Sequence, residues 1–235
     1  LGSYLNGYAI TGDALARLLG EEGVCAGQPI LDAACGVGTQ TIGLAQRGYE
    51  VFASDVSPGA VQRLRRELAQ RKVQATVYVD DLGTLSNAPA SVAAVLACDN
   101  SIPHLLSDVE IRRAFASCYQ RLREGGVAVF SVRDYAALPR INPDVRPYGL
   151  RHEGGTRFLA VQVWEWEDDQ YDLRMYLTSE SPEGECRTSV LRSRYYAVSI
   201  VRLLELLREA GFIDVRRLDG VLFQPVLVGR RPRAV

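Results

Sequence analysis

Ile30-Leu31-Asp32-Ala33-Ala34-Cys35-Gly36-Val37-Gly38 decides the fold of this chain. Apolar residues run into Asp32, and small residues then stand at alternate positions, Ala34, Gly36 and Gly38. A helical pattern follows at once over residues 41–46. With no Cβ in the way, a backbone can approach a ligand closely. A strand, tight turn and helix in this order build a ligand crevice at the carboxyl end of a parallel sheet. Glu50 to Asp55 reads as a second strand ending on a carboxylate, followed by Val56. An acid there is placed to accept hydrogen bonds from a ribose diol.

Two nucleotide-type ligands suit such a turn. A dinucleotide fingerprint wants Gly-x-Gly-x-x-Gly. Here Gly36 and Gly38 are followed by Thr39, Gln40 and Thr41, so the third glycine is absent. Asp32 sits where its carboxylate would repel a pyrophosphate, but it suits a ligand carrying an ammonium and a sulfonium. A turn that is merely tight would not explain the paired acids Asp32 and Asp55.

With 235 residues the chain fits one large domain or a core with an insertion. Its charged content of 23% and aromatic content of 8% are those of an ordinary soluble protein. The formal net charge of −1 gives no general pull toward nucleic acid or an anionic membrane. Arginines cluster late, at Arg216, Arg217, Arg230, Arg231 and Arg233, and read as a solvated edge strand and tail. The five cysteines contain no Cys-x-x-Cys pair, so neither a metal site nor a disulfide framework is expected. Reduced thiols in a cytoplasmic compartment fit better. No apolar run reaches the roughly 18 residues of a spanning helix, and no signal peptide is visible. The chain opens on Leu1 rather than Met, which leaves open a missing natural N-terminus.

Along the chain, Thr11 reads as the cap of a helix whose apolar stripe is Leu15, Leu18 and Leu19. Ser57-Pro58 is a cap followed by proline at the first helical position, with Val61, Leu64 and Leu68 facing the sheet. Strands are expected at 73–79, 92–98 and 127–132. Ser107 to Glu110 is a capping box for a helix ending near Gly125-Gly126. This alternation predicts an α/β fold: a doubly wound, Rossmann-like, mostly parallel sheet of seven strands. Residues 156–165, 171–180 and 186–196 form three strand-like segments with no helix between them, so an antiparallel insert is expected after the fifth strand. A helix over 199–210 and a hairpin around Asp219-Gly220 close the chain. The expected division is a cofactor-binding core at 1–139, the insert at 140–196, and 197–235 completing the core sheet.

In its first motif the chain resembles the class I S-adenosylmethionine-dependent methyltransferases, whose pattern is acid-x-Gly-x-Gly-x-Gly, with Ala34 in place of the first glycine. The resemblance implies S-adenosyl-L-methionine as cofactor and S-adenosyl-L-homocysteine as product. It places the loop Ala34, Cys35, Gly36 and Gly38 under the methionine part and Asp32 near the ammonium. Asp55, beside Val56, takes the ribose hydroxyls. Asp81 takes the adenine amino group and Leu82 the ring face, with Asp80 as a rival for the first role. Cys98, at the end of the fourth strand, borders the same site.

Within that superfamily the chain resembles the glycine/sarcosine N-methyltransferase-like enzymes from about Gly12 onward. Cys98-Asp99-Asn100-Ser101-Ile102-Pro103-His104 is similar to a segment with Gly-Asn-Ser followed by His. Ser131-Val132-Arg133-Asp134-Tyr135 is similar to their His-Arg-Asn-Tyr. By that resemblance Asn100 and Arg133 bind a substrate carboxylate, His104 lies beside the transferred methyl, and Tyr195-Tyr196 reach the substrate cavity. Arg suits a carboxylate because its planar fork donates two parallel hydrogen bonds. Asp99 departs from the family's glycine, so an amine paired with Asp99, or a larger zwitterion, stands beside glycine as substrate. The family's aromatic N-terminal segment is reduced to a few residues containing Tyr4 and Tyr8. Plainer readings stay open: His104 as a helix cap, Arg133-Asp134 as a surface ion pair, Trp164 and Trp166 as packing.

The expected function is methyl transfer to a small-molecule acceptor, an amine nitrogen first, with His104 or Asp99 assisting proton removal and the insert walling the substrate. O-methylation of a natural-product hydroxyl and a non-catalytic cofactor-binding protein are the alternatives. No nucleic-acid or membrane partner is expected, and the oligomeric state is open, a homo-oligomer included.

Overall fold

The computed structural model describes residues 2–234, with side chains from Ala9 onward. The side chains of Tyr4 and Tyr8 lie outside the described residues. The chain divides into two compact units. One holds the residues up to 102, 107–134 and those from 200 onward, and the other holds 103–106 and 135–199.

In the first unit, helix α1 (Gly2–Glu21) precedes an alternation of β1 (Pro29–Asp32), α2 (Thr39–Ala45), β2 (Glu50–Asp55), α3 (Pro58–Arg71), β3 (Thr76–Val79), β4 (Val92–Ala97), α4 (Asp108–Arg121) and β5 (Leu122–Ser131). In the second unit, β6 (Asp144–Glu153), β7 (Thr156–Glu167), β8 (Gln170–Glu180) and β9 (Cys186–Tyr196) form an antiparallel sheet in that order. The first unit resumes with α5 (Ile200–Glu209), β10 (Ile213–Leu218) and β11 (Val226–Arg230).

The first unit's sheet has seven strands in the order β10-β11-β5-β4-β1-β2-β3. Strands β1 to β5 pair in parallel, while β11 runs antiparallel to both β5 and β10. This is the expected Rossmann-like sheet. The order reverses at β1, which is flanked by β2 and β4, so the crevice opens at the carboxyl ends of β1 and β4. Every residue of β4 is buried, as its unbroken apolar run requires. The Ser57 hydroxyl caps α3 by accepting the Ala60 N–H, and Val61, Leu64 and Leu68 are buried beneath that helix. Ser107 caps α4 by accepting the Glu110 N–H at 3.3 Å.

Five expectations need correction. Thr11 does not cap α1, because the helix already runs from Gly2 and Thr11 lies in its interior. Strand β3 starts at Thr76 rather than 73: Lys72 turns left-handed (φ 55°) and the Val73 N–H bonds back to Leu68, so these residues close α3. Helix α4 stops at Arg121 because Leu122 is extended, buried and paired with Val92, so the fifth strand begins there and carries a register shift past Gly125. Strand β6 was not expected; Pro147 and Gly149 hide it, and such residues are tolerated because β6 is an edge strand with a register shift between them. The late arginines lie on the edge strand, its neighbour and the tail as expected, but four of them are paired rather than simply solvated. Arg216 and Arg230 both grip the carboxylate of Glu22, the latter at 2.6 Å. Arg217 pairs with Asp134 at 2.7 Å, and Arg231 donates to the Leu122 carbonyl at 2.6 Å. Arg217 and Arg233 are exposed.

All five cysteines are unpaired. Among the described residues no helix is long and apolar enough to cross a membrane.

Glu22 joins the end of α1 to both strands of the terminal hairpin, and its side chain is only 7% exposed. Its partners are partly solvated, which limits what each pair contributes. Glu22→Gln should therefore cost at most about 1.5–3 kcal/mol, the range for hydrogen bonds to charged groups. Urea denaturation should show an unchanged slope and a lower midpoint; an unchanged midpoint would mean that the clamp contributes nothing.

Candidate active site

The loop after β1 is fastened from both sides. Ala33 N–H bonds to the Leu96 carbonyl in β4, and Cys35 N–H bonds to the Ser54 carbonyl in β2. Gly38 has a φ of +96°, and a Cβ there would fall 2.2 Å from Leu64 Cδ1, so any other residue would be strained and would force Leu64 to move. Gly36 (φ +51°) has open space where its Cβ would be, which leaves its backbone bare to a ligand.

Asp32 is fully buried at the end of β1. Its Oδ2 accepts a 2.6 Å hydrogen bond from the Thr41 hydroxyl on α2. Its Oδ1 is buried with no hydrogen-bond partner. Burial pushes this carboxyl up to about 7, and the nearby Asp55 charge adds to the rise, so the cost of enclosing the charge outweighs the opposing bonds from the Thr41 hydroxyl and the Ala34 and Thr41 main chains. An ionisable group left half-satisfied beneath a bare glycine loop is suited to a ligand that brings a positive charge.

Asp55 organises the same loop. Its Oδ2 accepts the Gly36 N–H at 2.9 Å and its Oδ1 the Ser57 N–H at 2.9 Å. A carboxylate has about four acceptor sites, so both oxygens retain capacity for a diol. The adjacent Val56 is exposed. After β3 the two candidate acids separate. Asp80 is buried and accepts the N–H groups of Asp81, Ser86 and Asn87, so its carboxylate is committed to its own loop. Asp81 is exposed and uses one oxygen, Oδ1, for the Gly83 N–H at 2.7 Å. Leu82 beside it is half-buried.

After β4 come two non-glycine residues with left-handed backbones, Asp99 (φ 58°) and Asn100 (φ 65°). Such conformations cost energy and persist only where neighbours enforce them. Ser131, the last residue of β5, enforces both. Its hydroxyl accepts the Asp99 N–H at 2.7 Å and its carbonyl accepts the Asn100 N–H at 3.0 Å. Asn100 Oδ1 in turn accepts the Arg133 N–H at 3.0 Å. Asp99, Asn100 and Arg133 therefore form one group at the ends of β4 and β5. Asp134 pairs with Arg217 at 2.7 Å.

In the second unit, His104 ends a short 3-10 turn. It does not cap α4, a role filled by Ser107. Its ring lies 4.2 Å from that of Tyr195, and its Nδ1 is 3.2 Å from the Ser193 hydroxyl. Tyr195 stacks on Tyr171, which stacks on Trp164, and Tyr135 meets the Tyr171 hydroxyl at 3.1 Å. Trp164 is thus part of the packing of its sheet. Tyr196 pairs with Gln170 at the end of the β8–β9 ladder.

Burial pushes the Cys98 and Cys118 thiols up to about 12 and raises Cys35 further. None of the three is a nucleophile at neutral pH. Sequence reasoning missed Thr41 and Ser131, whose roles appear only when strand ends are brought together. It also missed a cavity of about 130 Å³ in the first unit, lined in part by Gln40, Asp99, Ser131, Phe223 and Gln224.

A family model described as "Methyltransferase domain" matches residues 30–126. A malonyl-[acyl-carrier protein] O-methyltransferase of Serratia marcescens is 34% identical over 204 residues, covering 86% of this chain and 68% of that protein. A glycine/sarcosine N-methyltransferase of Parasynechococcus marenigrum is 30% identical over 128 residues, covering 54% of this chain and 44% of that protein. The chain spans about half the length of several of the curated relatives it matches. Among solved structures, an amino pentose methyltransferase of calicheamicin biosynthesis from Micromonospora echinaspora superposes with a TM-score of 0.82 at 18% identity, covering 95% of this chain and 91% of that one. A methyltransferase from Clostridium acetobutylicum gives a TM-score of 0.82 at 15% identity, covering 96% and 92%. These structural likenesses speak to the fold, and the Serratia relative, matched along two thirds of its length, speaks to ancestry. The chain, with an acid under its first loop and a second acid closing its second strand, belongs to the S-adenosylmethionine-dependent methyltransferases.

Proposed function

We propose that this protein transfers a methyl group from S-adenosylmethionine to a small-molecule acceptor, with an amine nitrogen as the nucleophile. The observation that carries the reading is the buried Asp32, whose Oδ1 lacks a partner beneath the bare backbone of Gly36. A pyrophosphate would be repelled there, whereas an ammonium would complete the carboxylate's hydrogen bonding. Asp55 takes the ribose hydroxyls. Asp81 takes the adenine amino group, because the Asp80 carboxylate is already spent on its own loop. When bound, the cofactor supplies an electrophilic methyl group on a sulfonium. The chain's task is then positional, holding the acceptor atom in line about 3–3.5 Å away and excluding water. Asn100 and Arg133 orient the acceptor, and Asp99 draws an amine rather than a free carboxylate. The five unpaired thiols support a reducing, cytoplasmic setting.

O-methylation is the second reading, favoured by the Serratia relative, which is named for that reaction. The two chemistries differ in their need for a base. A neutral amine attacks without one, whereas a hydroxyl benefits by about 10²–10⁴-fold from general base catalysis. His104, held against Tyr195 and Ser193, is the candidate base. For an amine acceptor His104→Ala should lower turnover by roughly tenfold or less, and for a hydroxyl acceptor by 10²-fold or more. Product formation across acceptors of both kinds reads the difference.

Calorimetry should detect S-adenosylhomocysteine binding and no NAD binding. Asp55→Ala should weaken the former by roughly ten- to a hundredfold. An unchanged dissociation constant would remove Asp55 from the site.

Asp32 adds a pH dependence of fixed sign. Its carboxyl is raised from 3.8 to about 7 in the fold. Its protonated form therefore favours the folded chain below 3.8, and that contribution disappears as pH rises through about 7. Asp32→Asn should raise the melting temperature of the ligand-free protein at pH 8 by several degrees and flatten its pH dependence between 3.8 and about 7 (~2–4 °C per kcal/mol at this size). The same variant should bind S-adenosylhomocysteine at least about tenfold more weakly, the loss expected for one charge-assisted bond. Wild-type affinity should improve as pH rises through 7. A variant of lower melting temperature and unchanged affinity would contradict the role given to Asp32.

A further inference from the structure

The four-stranded sheet of the second unit carries a bare apolar face. Residues paired directly across antiparallel strands point to the same side, and the pairing puts Val145, Leu150, Leu159, Val161, Tyr176 and Val190 together on one side. Val145, Leu150 and Leu159 are 60%, 57% and 44% exposed, and Tyr176 is exposed beside them. A sheet buries an apolar face against a second layer, and a contiguous apolar patch left in water marks an interaction site. The opposite face differs. There Trp164 and Tyr171 are buried, and the Arg146 guanidinium lies 3.9 Å over the Trp164 ring.

Charges of opposite sign stand at the two ends of the bare face. At one end Arg174 and Arg192 are directly opposite each other across β8 and β9, a like-charge placement that destabilises a sheet. Arg174 pairs with Glu165, and the neighbouring Arg194 pairs with Glu167 and Asp172, but Arg192 has no ion-pair partner among the described residues. At the other end Glu180 pairs with Arg157 at 3.0 Å, and the turn beyond it exposes Glu183 and Glu185. The Glu185 carboxylate has no ion-pair partner among the described residues either. A face that is apolar in the middle, with a lone cation at one end and a lone carboxylate at the other, is complementary to itself. About a two-fold axis that crosses the strands midway between them, each Arg192 meets the partner's Glu185, and both pairs form at once. Four strands about 4.8 Å apart and eleven residues long make a face of roughly 700 Å². Two such faces reach the roughly 1,200–2,000 Å² that stable interfaces bury. We propose that this face is the interface of a homodimer, two sheets packed face to face about 30° apart, with Arg192 of each copy against Glu185 of the other. The pairing is independent of which acceptor is methylated.

Sedimentation equilibrium of the whole chain should give a dimer at micromolar concentration. Leu159→Asp, which puts an unpaired charge into the apolar centre, should raise the dimer dissociation constant at least about tenfold. Arg192→Glu, which sets two carboxylates against each other, should raise it by about three- to tenfold. Combining Arg192→Glu with Glu185→Arg restores opposite charges and should return it to within about twofold of wild type. Leu191→Asp, on the opposite face, should leave the dimer intact. All four side chains are exposed, so none of these variants disturbs a core. A monomeric wild type would leave the face to a further segment of a longer chain and overturn the dimer. A dimer that survives Leu159→Asp, that the charge swap does not restore, or that Leu191→Asp dissociates would overturn it equally, the last by moving the contact to the opposite face.

Discussion

A carboxyl group enclosed at the end of the first strand and bonded to the Thr41 hydroxyl is the constraint around which the loop after that strand is arranged. Asp32 cannot move to water, because β1 is the strand from which the sheet grows in both directions and its neighbours β2 and β4 hold the following loop by main-chain bonds. Holding it ionised without a ligand costs on the order of 4 kcal/mol, from its shift to about 7. That is a sizeable part of the 5–15 kcal/mol or so by which domains are stable. A charge kept at such cost is a site's signature more than a scaffold's.

The second acid makes the first usable. Asp55 holds the Gly36 N–H, so the loop keeps its open backbone turned toward the crevice. Gly38 brings the start of α2 against Leu64 of α3, closer than any Cβ permits. Through Thr41, α2 in turn reaches back to Asp32. Loop, helix and acid are mutually fixed, and preorganisation of this kind lowers the cost of ordering a ligand.

Much of this was legible in the chain because it is local. The acids, the alternate small residues, the Ser57-Pro58 cap and the buried run of β4 each declare themselves within a few positions. What was not legible depends on residues far apart in sequence. Asp80 and Asp81 are indistinguishable until the N–H groups of Ser86 and Asn87 are seen to consume the first. The late arginines read as solvated until Glu22, about two hundred residues earlier, is found between two of them. Strand β6 carries proline and glycine, which speak against a strand locally and are tolerated only because it lies at a sheet edge. Gln224 had no signal at all, since a buried glutamine in a connection between strands looks like any other loop residue.

The strained pair Asp99-Asn100 is held in place by the end of a neighbouring strand. A glycine would adopt the left-handed backbone freely, so an aspartate there carries a cost that the fold must offset. Ser131 offsets it with two hydrogen bonds, and Asn100 passes the constraint on to Arg133. One serine at the end of β5 thereby sets the places of an acid, an amide and the Arg133 main chain. In a transfer where the leaving group is already activated, rate depends on where the acceptor is held more than on how strongly it is activated. A chain facing that demand gains more from a rigid junction of two strand ends than from a reactive side chain, and its buried, inert thiols are consistent with that choice.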